Sequence, residues 1–260
     1  MWGLARSLGG RVLFRIEDHD RQRSRSHLEA ALLDDLDWLG FEPDIFKTNE
    51  FRLGELAGRQ SGRDAEYREV LAPLIAQGLL YGCDCSRQQI EGPVYSGRCR
   101  ERGLPLRNDF GWRLRVGSSD ERFDDAILGP QHQAPAEQCG DLLIRDRLGN
   151  WTYQWAATTD DTLQAIDLVI RGEDLLDSTG RQILLARLLG RSAPPVFAHH
   201  PLLMKSATQK LSKSDSDTGV RDLRKAGWEA PRLIGCAAQL VGLLDAPEEL
   251  AAHRVGDLFG

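Results

Sequence analysis

Residues 11–18 read RVLFRIED. An apolar run closed by two acids has the pattern of a strand buried on both faces of a parallel sheet, with Glu17 and Asp18 at its carboxyl end. Helical periodicity begins just behind it. Ser26 and Glu29 have the S-x-x-E spacing of a capping box, and Leu28, Leu32, Leu36 and Leu39 fall on one stripe ahead of Gly40, a natural stop. A second helix is expected over residues 67–77. Tyr67, Val70, Leu71, Leu74 and Ile75 share its apolar face, and Pro73 supplies a kink. From Gly82 to about Cys139, Gly, Pro, Arg and Asp become frequent and periodicity fades, which is the texture of an inserted module. Strand-like runs return at 141–145 and 167–171. A helix follows Ser178, another strand fits 195–199, and a last helix has Pro231 in its first turn. This order predicts an α/β fold, an open parallel sheet split by an insertion. Ligands bind such sheets at the carboxyl ends of strands, which marks Glu17 and the stretch from Arg171 to Asp174 as site candidates.

Composition narrows the function classes. The net charge of −6 excludes a protein coated in basic surface. It leaves a nucleic-acid partner open, because the 33 Lys and Arg could gather on one face. No apolar run reaches the length of a membrane span, and charges interrupt the opening residues where a secretory signal would lie. No membrane partner and a cytoplasmic location are expected. Five cysteines, three of them close together, read as a metal cluster and two buried thiols rather than a disulfide framework.

Three constellations carry chemistry. Cys83, Cys85 and Cys99 offer thiolates, and zinc prefers a tetrahedron of such ligands. Tyr95 is the best-placed fourth donor. The competing reading is three unconnected thiols in an irregular loop. Lys210 and Lys213, in the run KLSKS, suit a polyphosphate, with serines adding hydrogen bonds. Taken alone, a K-x-x-K spacing also fits a solvated surface loop. Glu17, Tyr153 and Arg171 could read an amino acid: the acid accepts from an ammonium, the guanidinium forks onto a carboxylate, and the phenol fixes the side chain. Spacing alone favours a strand-end salt bridge for Glu17 and Arg171 and a core tyrosine for Tyr153.

Together these stretches resemble one family. RVLFRIEDHDRQRSRSHLEAALLDDLDWLGFEPD is similar to the RIED-D-x-x-R segment and following helix of class I glutamyl-tRNA synthetases. TYQWAATTDD and VIRGEDLLDSTGRQILL are similar to two segments of the second half of their catalytic domain, and KLSKS resembles their KMSKS motif. The short tail, and a short insert reading YGCDCSR…VYSGRCR, resemble the branch that esterifies glutamate onto queuosine in the anticodon loop of tRNA(Asp).

The resemblance implies a Rossmann-like parallel sheet split by a small zinc-containing insert. Residues 1–82 would form the first half of the catalytic domain, 83–139 the insert, 140–200 the second half, and 201–260 the KLSKS loop and a short helical region. It implies that Glu17 contacts the amino group of glutamate, Tyr153 its side-chain carboxylate and Arg171 its α-carboxylate. Lys210 and Lys213 would meet ATP, Lys213 acting catalytically on its phosphates, with Mg2+ as helper. Cys83, Cys85, Tyr95 and Cys99 would hold zinc, and a monomer is expected. The family's opening R-x-A-P-S-P-T-G strand and HIGH-type motif have no counterpart here, so the sheet is expected to be N-terminally truncated and this form nearly inactive. An ordinary glutamyl-tRNA synthetase domain, truncated, is one alternative. A non-catalytic zinc-containing tRNA-binding paralogue is the other.

Overall fold

The computed structural model describes residues 1–22, 24–54, 57–90, 92–204 and 219–260. Its helices are α1 (Trp2–Ser7), α2 (Ser26–Leu39), α3 (Thr48–Arg52), α4 (Asp64–Ala76), α5 (Pro135–Cys139), α6 (Tyr153–Leu163), α7 (Thr179–Leu188), α8 (Val220–Lys225) and α9 (Ala230–Leu240). Its strands are β1 (Leu80–Cys83), β2 (Gly111–Leu114), β3 (Glu121–Asp125), β4 (Gly129–Gln133), β5 (Leu142–Arg145), β6 (Leu168–Gly172) and β7 (Val196–His200). The chain forms two compact units. One holds Met1–Ile16, Arg23–Arg59 and Pro201–Gly260, and the other holds Glu17–Gln22 and Gln60–His200.

In the first unit, residues 11–16 of the run are extended but form no continuous strand. Val12, Phe14 and Ile16 spend their backbone hydrogen bonds on two separate segments, around Asp44–Ile45 and Gly58. Only isolated parallel bridges result, Leu13 to Ile45 and Ile16 to Arg59. Helix α2 begins one residue earlier than a capping box requires. Arg25 is the N-cap, and Glu29 instead forms a two-pronged ion pair with Arg59. The expected leucine stripe is also rotated. Leu28 and Leu32 are exposed, whereas Leu33 is buried with Ile16 and Phe51. Periodicity identified the helix, but its buried face is set by which partners pack against it. Gly40 ends the helix in the left-handed region at φ 78°, where only glycine is free of strain.

The second unit carries two sheets, and neither is wholly parallel. Strands β1, β2 and β5 form an antiparallel sheet in that order. The other sheet runs β4-β3-β7-β6, with β3 antiparallel to β4, while β7 is parallel to both β3 and β6. Connection length explains the mixture. Only residues 126–128 join β3 to β4, which permits a hairpin alone, whereas α7 lies between β6 and β7 and gives the crossover that a parallel pair needs. The expected insert therefore contributes strands to both sheets. One core lies between α4, α6, α7 and the β1-β2-β5 sheet: Tyr67, Leu71, Leu74, Leu114, Ile144, Trp151, Trp155 and Leu185 are all buried there. Pro73 sits inside α4 without ending it.

A buried carboxylate ties α4 to α6. Asp160 is fully buried and accepts from Arg63 Nε at 2.7 Å, Tyr67 Oη at 2.9 Å and Gln60 Nε2 at 3.0 Å. Removing it would take the 2.7 Å counter-charge from a nearly buried guanidinium whose contact with the half-exposed Glu66 is longer, at 3.7 Å. Asp160→Ala should therefore cost about 3–5 kcal/mol in chemical denaturation, and Asp160→Asn, which keeps an acceptor, distinctly less. Equal stability of Asp160→Ala and the native protein would show that Arg63 finds water instead.

Candidate functional site

The first candidate centre lies at the carboxyl ends of β6 and β7. Arg171 is on β6, Tyr153 opens α6, and Glu17 follows the extended run. The fold brings these three together, although more than 150 residues separate the first from the last. Glu17 is exposed, Tyr153 half-buried and Arg171 9 % exposed. Their charges reach one another. Burial raises the Tyr153 phenol above its ordinary value, the negative charge of Glu17 raises it further, and Arg171 opposes both. Burial also lowers Arg171, against the pull of Tyr153, Asp161 and Asp125.

Arg171 is held by the protein before any ligand arrives. Its Nε donates to His199 Nε2 at 3.0 Å, and its Nη1 to Gln182 Oε1 at 2.6 Å. Its Nη2 donates to Thr179 Oγ1 at 2.8 Å and to the Leu175 carbonyl at 3.3 Å. Four of the five N–H donors of a guanidinium are thereby used. The fifth is on Nη1, and the Tyr153 phenol is close enough to interact electrostatically with this side chain. An open two-pronged fork, which the residue type alone suggested, would need a protein acceptor to let go.

The second centre is the cysteine cluster at the end of β1. The sulfurs of Cys83, Cys85 and Cys99 lie within 4.8 Å of one another, all buried. Cys85 and Cys99 are 3.5 Å apart, and Tyr95 Oη is 3.5 Å from Cys83 Sγ. Zinc–sulfur bonds of about 2.3 Å in a tetrahedron set sulfurs about 3.8 Å apart, so the donor set fits this ion. Tyr95 also accepts from the Cys99 backbone N–H at 2.9 Å. Burial alone would raise the Cys83 thiol, but hydrogen bonds from Tyr95, the Cys85 backbone and Arg113 hold it below its usual value. Burial and the neighbouring sulfurs push Cys85 up to about 11.

Arg113, on β2, was not singled out by sequence reasoning. Its guanidinium carbon lies 3.6 Å from the centre of the Tyr95 ring, and its Nη1 donates to the Asp141 carbonyl at 2.7 Å. A buried cation here favours negative charge on the Cys83 sulfur and lies over the face of the Tyr95 ring. The Asp141 carboxylate binds Arg100, Tyr81 Oη and the Val116 N–H, which joins the cluster to the β1-β2-β5 sheet. His199, Thr179, Gln182 and Asp125 were likewise given no role by sequence reasoning. Gln182 stands in the quoted STGRQ stretch, but its meeting with Arg171 is a product of the β6–α7 turn. Lys210 and Lys213 lie outside the described residues.

Comparison with known proteins follows the same lines. The family described as tRNA synthetases class I (E and Q), catalytic domain, matches residues 1–101 and 108–246. A Glutamyl-Q tRNA(Asp) synthetase of Symbiobacterium thermophilum is 39% identical over 281 residues, covering 99% of this chain and 84% of that protein. One from Ectopseudomonas mendocina is 43% identical over 212 residues, covering 81% of this chain and 68% of its own. Among solved structures, a glutamate tRNA ligase from Elizabethkingia meningosepticum, in complex with its amino acid, superposes with a TM-score of 0.78 at 23% identity. It covers 98% of this chain, which spans only 59% of the ligase. The α/β fold is thus that of the glutamate tRNA ligases, and the chain belongs to the class I tRNA synthetases of the E and Q type, a family of ligases.

Proposed function

We propose that this protein activates glutamate with ATP and transfers it to queuosine in the anticodon loop of tRNA(Asp). The observation that carries the reading is the convergence of Glu17, Tyr153 and Arg171 at one set of strand ends, in a chain about two-fifths identical to proteins bearing that name. The chemistry needs no protein nucleophile. A carboxylate oxygen of glutamate attacks the α-phosphorus of ATP, the bond to the β-phosphate oxygen breaks, and pyrophosphate leaves. A hydroxyl of the modified base then attacks the acyl carbon and releases AMP. Placement and charge carry such a reaction. Glu17 accepts from the substrate ammonium, Tyr153 bonds its side-chain carboxylate, and Arg171 supplies fixed positive charge at the α-carboxylate. Lys210 and Lys213 serve the phosphates, where Mg2+ would neutralise negative charge. Zinc bound by Cys83, Cys85, Tyr95 and Cys99 plays a structural part.

The direct test is glutamate-dependent ATP–pyrophosphate exchange by the full-length protein without tRNA, followed by glutamate transfer to tRNA(Asp) with and without queuosine. Exchange without tRNA and transfer only to the modified tRNA are expected. Exchange that requires tRNA(Glu) would instead make this an ordinary glutamyl-tRNA synthetase.

Arg171→Ala should raise the KM for glutamate roughly 10²-fold, the order expected for losing a charge-assisted contact. Arg171→Lys should not restore it, because an ammonium cannot satisfy His199, Gln182 and Thr179 in the same plane. A lower melting temperature with unchanged KM would make Arg171 purely structural.

Metal analysis should find about one zinc per chain, lost in Cys85→Ser. Gly140→Ala should speed zinc release to a chelator without touching a ligand. Gly140 has φ 64° and ψ −148°, a region essentially reserved for glycine, and a Cβ there would lie 2.1 Å from the Tyr95 carbonyl oxygen. Release at the native rate would place Tyr95 outside the metal site.

A further inference from the structure

The hydrogen bond between Asp125 and His199 lies outside the roles given above. Both side chains are buried, His199 completely, with Asp125 Oδ2 2.5 Å from His199 Nδ1. The other ring nitrogen faces Arg171. A guanidinium can only donate, so the 3.0 Å contact from Arg171 Nε requires an unprotonated His199 Nε2. The ring proton is then on Nδ1, directed at Asp125. Thr179 Oγ1, 3.2 Å from Nε2, already accepts from Arg171 and can turn its own proton to the same ring nitrogen. Asp125 is itself fixed, because its Oδ1 accepts from the backbone N–H groups of Ile127, Leu128 and His199.

We propose that Asp125 and His199 form a relay that positions Arg171 for glutamate, with Asp125 selecting the one imidazole tautomer that can accept from the guanidinium. This inference rests on the assignment of Arg171 to a glutamate carboxylate. The relay is a positioning device and does not touch the substrate. It also places a negative charge one imidazole away from a buried positive one, and so offsets the burial of Arg171 without occupying the face turned to the ligand. The charged and titratable groups acting on His199 are Asp125, Arg171 and His200. Burial outweighs Asp125 and holds the imidazole below its ordinary value, so the neutral, accepting form is the one present at neutral pH.

The decisive substitution is Asp125→Asn. The amide oxygen can keep the three backbone bonds now made by Oδ1. The amide nitrogen then faces His199 Nδ1 as a donor, which drives the ring proton to Nε2, against the N–H of Arg171. Shape is kept and only the direction of one hydrogen bond is reversed. The tautomer is read from 15N chemical shifts of histidine-labelled protein, and L-glutamate affinity from calorimetry, on the full-length native protein and on Asp125→Asn, His199→Ala, His199→Gln and Arg171→Ala.

We expect an Nδ1–H tautomer in the native protein, an Nε2–H tautomer in Asp125→Asn, and glutamate affinity about tenfold weaker in that variant. His199→Gln, whose side-chain oxygen can accept from Arg171, should bind glutamate better than His199→Ala, a rescue that a purely structural role would not produce. If Asp125→Asn does not fold, this Gln and Ala pair decides, and equal affinities overturn the relay. A reversed tautomer with native affinity overturns it too, provided Arg171→Ala loses glutamate. If Arg171→Ala binds glutamate normally, the glutamate reading falls instead, and the relay as stated falls with it. An Nε2–H tautomer in the native protein would refute the tautomer assignment whatever the ligand.

Discussion

A guanidinium buried at the end of a strand must be given acceptors or it will not stay there. Unpaired, it would cost several kcal/mol, more than most single contacts contribute. Much of the second unit answers that demand at Arg171. The turn after β6 returns the Leu175 carbonyl, α7 brings Thr179 and Gln182 to its near side, and β7, paired to β6 in parallel, sets His199 beside it. The β3–β4 hairpin supplies Asp125 behind the histidine. The mixed sheet has a function here. A hairpin edge reaches the back of β7 through β3, which delivers a carboxylate that the β6–α7–β7 crossover does not contain.

The same solution recurs at the cysteine cluster. There the buried cation is Arg113, and it faces sulfurs and the ring of a neutral phenol rather than carboxylates. Its ring contact with Tyr95 leaves the phenol oxygen turned to Cys83 and the Cys99 N–H. Asp141 pins the surroundings through Arg100, Tyr81 and Val116, and burial, Tyr81's bond to that acid and its negative charge all raise the Tyr81 phenol. The two centres differ in how their arginine is held: Arg171 meets Asp125 through His199, whereas Arg113 bonds the backbone carbonyl of Asp141, whose carboxylate serves Arg100, Tyr81 and Val116.

Sequence could show the contents of these centres but not their wiring. Residue type and spacing marked Cys83, Cys85, Tyr95 and Cys99 as a cluster, and the structure sets the three sulfurs within 4.8 Å of one another with the Tyr95 phenol 3.5 Å from Cys83. The strands at 142–145, 168–172 and 196–200 were legible within one residue, since short β-branched runs flanked by polar residues have few other uses. The run at 11–18 carried the same signal but became two isolated bridges, because pairing depends on a partner segment that composition does not reveal. Likewise Leu33, not Leu28 or Leu32, is buried on α2, a choice made by Ile16 and Phe51. Asp125 and His199 were invisible for the same reason. They are 74 residues apart, and their meeting is fixed by β3–β7 pairing, which local periodicity does not encode.

The occupancy of Arg171's donors changes how recognition at this site should be understood. An arginine free to fork onto a carboxylate contributes geometry and charge together. Arg171 has little geometry left to offer, because four of its donors are already committed to the protein. What it retains is a charge with almost no freedom to move, so a ligand carboxylate meets a site that needs no reorganisation on binding. On the proposed roles, directional discrimination then falls to Tyr153 and Glu17. The Tyr153 phenol can turn its proton toward an incoming acceptor. Glu17 is exposed and negatively charged, where an ammonium would add donors that Arg171 cannot use. Fixing the cation and leaving the acid and the phenol adjustable divides attraction from selection among three residues.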